Sequence, residues 1–120
     1  VNVVEEFARA DPWVAVWRAY PDVDEATDEA MPACVDMTER FVAFARSRGV
    51  EARTVTADDA EDGEVWTHVF ARLPDGTNVD WTAPQFHNLR SEPTDLPVPL
   101  VWRGTAADHP VVKFGREVVT

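Results

Sequence analysis

The sequence predicts an α+β domain, on three observations. Helical periodicity is confined to residues 3–48, strand alternation begins at residue 50, and Pro74-Asp75-Gly76 joins two alternating runs as a hairpin turn. At 120 residues the chain has the size of one domain, residues 1–120, and is too short for two ordinary ones. Apolar residues make up 45%, with five Trp and six Phe, which is enough for a core without disulfide staples.

The elements follow in order. Residues 3–10 and 12–20 read as two short helices, with Asp11 as N-cap and Pro12 at the first helical position of the second. Val14 and Trp17, with Trp13 or Tyr20, form the apolar stripe of that helix. Residues 21–30 are acidic and turn-rich. A helix over 32–48 is bounded by Pro32 in its first turn and Gly49 just past its end, with Arg46 and Arg48 suited to its C-terminal dipole. Cys34, Met37, Phe41, Phe44 and Ala45 recur at helical spacing, and Val35, Val42 and Ala43 widen that face, so this helix belongs at the centre of the fold. Strands are expected over 50–56, 65–73, 77–82, 99–103 and 111–119, the last interrupted at Gly115. Residues 58–64 carry five acids and read as a solvated loop. Residues 83–99, with four of the nine prolines, read as a surface excursion.

Net charge is −11, with a pI near 4.5. A polyanion partner needs clustered Lys and Arg, so nucleic-acid binding is excluded as an expectation. No apolar run approaches the roughly 20 residues that span a bilayer. A single cysteine cannot form an internal disulfide, and residues 1–10 lack the basic-then-apolar order of a secretory signal. The expectation is a cytoplasmic protein. The chain opens on Val1 rather than Met, as a processed or trimmed form would.

The chemistry is concentrated in Cys34, His68 and Asp80. Cys34 sits where a helix begins, and a thiol attacks only as thiolate, a form that a helix N-terminus and a nearby imidazolium both favour. His68 and Asp80 lie on the two strands of one hairpin. If that hairpin turns through the three residues Pro74-Asp75-Gly76, with the glycine left-handed, opposed residues sum to 150. His68 and Asp80 then share one face as diagonal neighbours, within reach of an imidazole-to-carboxylate bond. A two- or four-residue loop would set them on opposite faces. A lone cysteine is ordinarily a small buried hydrophobe, and it is the order Cys, His, Asp that lifts Cys34 above that reading.

The run Ala33-Cys34-Val35-Asp36-Met37, the segment Gly49-Val50-Glu51-Ala52-Arg53, and the strands Thr67-His68-Val69-Phe70 and Asn78-Val79-Asp80-Trp81-Thr82 together resemble the transglutaminase-like, papain-fold cysteine enzymes. The following Ala83-Pro84-Gln85-Phe86 resembles short bacterial and phage members of that superfamily. The match covers residues 31–86. It implies a papain-like core in which the central helix carrying Cys34 packs on a small antiparallel sheet. It also implies roles: Cys34 as nucleophile, His68 as general base and later acid, Asp80 as the group orienting His68. The Cys34 backbone N–H would serve as one oxyanion donor. The glutamine that papain-like enzymes place upstream of the cysteine is missing, since Asp28-Glu29-Ala30 stands there; the indole of Trp13 or Trp17 is a candidate substitute.

The expected activity is hydrolysis of a peptide or protein amide through a thioester, as a peptidase or glutamine deamidase, with no cofactor and no metal. Two rivals stand beside it: a catalytically silent protein-binding domain of the same fold, and a thiol-dependent acyltransferase or transglutaminase, for which the chain lacks the usual accessory lobes. Trp66, Thr82 and Gln85 are the candidates for contacting substrate. His87 and His109 sit in polar, proline-bordered loops and read as solvated. A zinc site of Cys34, His68, His87 and His109 lacks any short paired spacing. The ten acids of 22–29 and 58–64 read as solvated faces that would favour neutral or basic substrates if they rim the cleft.

Overall fold

The computed structural model describes residues 2–59, 66–89 and 96–120. Four α-helices come first among them: α1 (Val3–Ala10), α2 (Pro12–Ala19), α3 (Glu25–Ala30) and α4 (Cys34–Ser47). Asn2, Asp11 and Asp24 cap α1, α2 and α3, each side-chain oxygen accepting a backbone N–H of the first turn. The acidic stretch expected as turns thus holds one short helix. The sequence reading missed it because α3 buries no residue and shows no apolar period. Helix α4 starts at Cys34 itself, two residues later than expected, and no side chain caps it. At its other end Gly49 adopts φ +78°, and Arg46 Nε donates to the Ala52 carbonyl at 3.1 Å, tying the helix exit to the sheet.

The strands are β1 (Arg53–Asp59), β2 (Trp66–Arg72), β3 (Thr77–Asp80), β4 (Leu100–Arg103) and β5 (Arg116–Val119), in the order β4-β3-β2-β1-β5 with every pair antiparallel. The expected 50–56 strand begins and ends three residues later, reaching into the acidic segment, whose residues 60–64 lie outside the described ones. The expected 111–119 strand shortens to β5 because 111–115 fold over the sheet: Val112 and Phe114 are buried against its second face. The excursion after β3 opens as a 3₁₀ helix over Ala83–Leu89, and a second short 3₁₀ turn covers Ala106–Asp108.

Two cores flank the sheet. On one side Phe7, Val14, Trp17, Met37, Phe41 and Ala45 of the helices meet Ala71, Val79 and Trp81. Phe7 lies edge-on to Phe41 with centroids 5.3 Å apart. On the other side Val55, Ala57 and Phe70 meet Phe86, Leu100, Trp102, Val112 and Phe114. No helix among the described residues is long and apolar enough to cross a membrane.

The hairpin takes the three-residue register. Ala71 opposes Val79 and Arg72 opposes Asn78, and Gly76 has φ +91°, the left-handed conformation that turn requires. Beyond Ala71–Val79 the two strands part, and helix α4 enters alongside. Thr38 Oγ1 donates to the Val69 carbonyl at 3.2 Å, and the Val69 backbone N–H favours the ionised form of the Cys34 thiol. Cys34 and Thr38 are one helical turn apart and face the same way. The first turn and a half of α4 therefore lies against β2 where β3 has left it, joined to it through the Val69 carbonyl.

Candidate active site

Three side chains, His68, Asp80 and His109, form one hydrogen-bonded line, and Cys34 acts on its His68 end. His68 Nε2 meets Asp80 Oδ2 at 2.7 Å, and His109 Nε2 meets the same oxygen at 3.0 Å. Asp80 Oδ1 accepts from the Thr82 N–H at 3.0 Å and from Thr82 Oγ1 at 3.4 Å. The carboxylate is fully buried with both oxygens satisfied, which is how a buried charge is tolerated. The His68 ring acts directly on the Cys34 thiol, favouring its ionised form. With Nε2 committed to Asp80, the nitrogen left for the thiol is Nδ1, which Gln85 Nε2 also approaches at 2.9 Å.

The electrostatics follow from these contacts. Burial alone would raise the Asp80 carboxyl, but the charge of His68 and the hydrogen bonds from His109 and His68 hold it well below its ordinary range. Burial alone would lower the His68 imidazole; Asp80's charge and hydrogen bond, with those of Cys34, raise it to about 9. For Cys34 burial acts upward and Asp80's charge adds to it. The hydrogen bond and charge of His68 and the Val69 N–H outweigh both, leaving the thiol below its usual 9.0. The combination favours a thiolate beside an imidazolium. A Gln85 amide donating to Nδ1 suits the neutral ring, and a half-turn of that amide offers Oε1 to Nδ1–H, so Gln85 can follow either protonation state.

Cys34 and Gln85 are partly exposed, whereas His68, Asp80 and Thr82 are buried, so a reactant reaches the line from the Cys34 end. Thr82 braces Asp80 from behind rather than facing a substrate. Trp66 lies on β2, with its side chain outside the described residues, as is that of His87. Trp17 is no oxyanion donor: its indole N–H is spent on the Pro32 carbonyl at 3.1 Å, which pins the chain two residues before Cys34. The uncapped start of α4 leaves its first backbone N–H groups without a side-chain cap on the same turn as the thiol. The acids of 22–29 are all solvent-exposed. A separate surface depression of about 630 Å³, lined by Val3, Val50, Leu73 and Val101 among others, shares no residue with the site.

His109 corrects the sequence reading, which left it in solvent. It is 3% exposed, with its ring edge-on to Trp102 at 4.6 Å and to Phe114 at 5.4 Å. The one sequence hint was the apolar Val111-Val112 after Pro110. His68, Asp80 and His109 carry ligand-type atoms within 4.8 Å of one another, a grouping that could hold a metal. Their bonding argues otherwise. His109 Nδ1 accepts from the Val111 and Val112 N–H groups, both at 3.1 Å, so the proton is on Nε2, which has no lone pair left for a metal. Both Nε2 atoms also converge on one Asp80 oxygen rather than on a common centre. The arrangement is a hydrogen-bond relay.

The chain matches no protein-family model, no curated protein and no solved structure.

Proposed function

We propose that this protein is a cysteine-nucleophile amide hydrolase of papain-like architecture, acting on a peptide bond or a protein glutamine side chain through a thioester. The observation that carries the reading is the Cys34–His68–Asp80 line, with a thiol lowered by the imidazole beside it. The Cys34 thiolate attacks the amide carbonyl, and the carbon–sulfur bond forms as the carbonyl electrons move onto oxygen, next to the α4 N–H groups. His68 gives its Nδ1 proton to the departing nitrogen, the carbon–nitrogen bond breaks, and an amine or ammonia leaves. Water then adds to the thioester with His68 as base, releasing the acid and restoring the thiolate and imidazolium. Asp80 keeps the ring oriented throughout.

The test is intact-mass spectrometry of acid-quenched mixtures with neutral and basic glutamine-containing peptides. An acyl adduct on Cys34, with release of ammonia or a cleaved peptide, is the expected result. A peptide that binds wild type and Cys34→Ala equally and is recovered unchanged would make this a binding domain instead. Dominant amine adducts would make it a transferase.

A further inference from the structure

We infer that His109 is a positioning residue for the nucleophile, holding Asp80 in the orientation that His68 requires; the inference rests on the thiol-nucleophile reading above. Its Nε2–H donates to Oδ2, the oxygen His68 uses, and with Thr82 on Oδ1 it leaves the carboxylate no freedom to rotate. A ring whose only task were packing would need neither nitrogen in a specific place. Both are specified here, because two successive backbone N–H groups, of Val111 and Val112, fix the tautomer that donates to Asp80.

The loop that delivers His109 is built to the same end. Gly104 adopts φ +116°, and a Cβ there would collide with the Asp108 carboxylate. Asp108 Oδ2 in turn accepts from the Thr105 N–H at 2.8 Å and from Thr105 Oγ1, closing a capping box around the turn that ends at His109. The Ala106 N–H donates to Glu117 Oε2 at 2.9 Å, and Glu117 is held by a bidentate Arg72 at 2.9 and 2.8 Å. Asn78 Nδ2 donates to the Gly104 carbonyl at 3.1 Å and Trp102 Nε1 to that of Thr105 at 3.0 Å. Residues of β2, β3, β4 and β5 thus converge on the turn that sets one imidazole against Asp80.

The experiment is a double-mutant cycle of His109→Phe and Asp80→Asn, read as the rate of Cys34 alkylation by iodoacetamide at neutral pH. In folded protein His109→Phe should slow alkylation about tenfold, and in the Asp80→Asn background by no more than about twofold, because the effect passes through the carboxylate. His109→Gln, which keeps an N–H at the distance of Nε2, should recover most of the rate. Equal slowing in both backgrounds, no slowing, or equal loss in the Gln and Phe variants would overturn the inference and leave His109 as packing. If the Phe variant does not fold, His109→Gln against the one-carbon-shorter His109→Asn completes the same cycle. If wild-type Cys34 reacts no faster than in the denatured chain, the nucleophile reading fails and the cycle is read by NMR on the His68 Nε2–H. Exchange about tenfold faster in the His109 variant would still assign it to holding the His68–Asp80 pair; unchanged exchange would overturn that too.

Discussion

Thr38 Oγ1 donates to the carbonyl of Val69 at 3.2 Å, on the same residue whose N–H favours the ionised form of the Cys34 thiol. Helix and strand are registered through that carbonyl, one helical turn from the proposed nucleophile. Thr38→Val, equal in shape but without the donor, leaves a buried carbonyl unpaired and should cost about 1–2 kcal/mol. Thr38→Ser should cost less, because it keeps the hydroxyl. Chemical denaturation measures both, and an equal loss in the two variants would show that the hydrogen bond contributes nothing.

Asp80 links the site to stability. Its carboxyl is held below the ordinary 3.8, so the ionised group contributes stability that is present above that pH and is lost as pH falls through the lower folded value. Asp80→Asn should lose about 3 kcal/mol at neutral pH, as expected when one partner of a buried pair is removed. Its stability should then depend less on pH on the acid side than that of wild type. Denaturant midpoints across the acid range test this; parallel curves for the two proteins would contradict it.

Two of the three left-handed glycines, Gly76 and Gly104, separate backbone strain from steric block. A Cβ at Gly76 meets nothing within 4 Å, so Gly76→Ala should cost only the conformational penalty, about 1 kcal/mol. At Gly104 the same penalty is joined by displacement of Asp108 and loss of its cap, about 2–3 kcal/mol together. Gly104→Ala should also slow Cys34 alkylation by moving His109, while Gly76→Ala leaves the rate unchanged. Equal stability losses and equal rates would remove the role given to the Gly104 turn.

Gln85 Nε2 lies 2.9 Å from His68 Nδ1, the ring nitrogen that Asp80 leaves open. Gln85→Glu places a carboxylate where it competes for the Nδ1 proton and repels the thiolate, so alkylation at neutral pH should slow about tenfold. Gln85→Met, uncharged and of similar length, should not reproduce that loss. Rates that match in the two variants would mean that charge at this position is not felt by Cys34.

Much of this architecture was legible in the sequence where local chemistry decides it. Pro74-Asp75-Gly76 determined a turn, the turn determined a register, and the register put His68 and Asp80 on one face. Gly49 marked the end of the central helix for the same local reason. What could not be read depends on distant partners. His109 meets Asp80 across 29 positions, and the adjacent Val111-Val112 alone is too short an apolar run to separate a solvated loop from a buried turn. The Trp17 indole looked free for an oxyanion, and only the tertiary fold shows it spent on Pro32. Helix α3 escaped because it buries nothing, so the apolar period by which helices are recognised was missing.

If His68 activates Cys34, the pH dependence of Cys34 alkylation will show it. In the folded wild type, reaction should set in below pH 9.0, the ordinary thiol value. In His68→Ala the onset should move above that value, because burial and the Asp80 charge then act on the thiol with no imidazolium to oppose them. An onset in wild type equal to that of the denatured chain, and unmoved by His68→Ala, would mean that His68 does not activate Cys34.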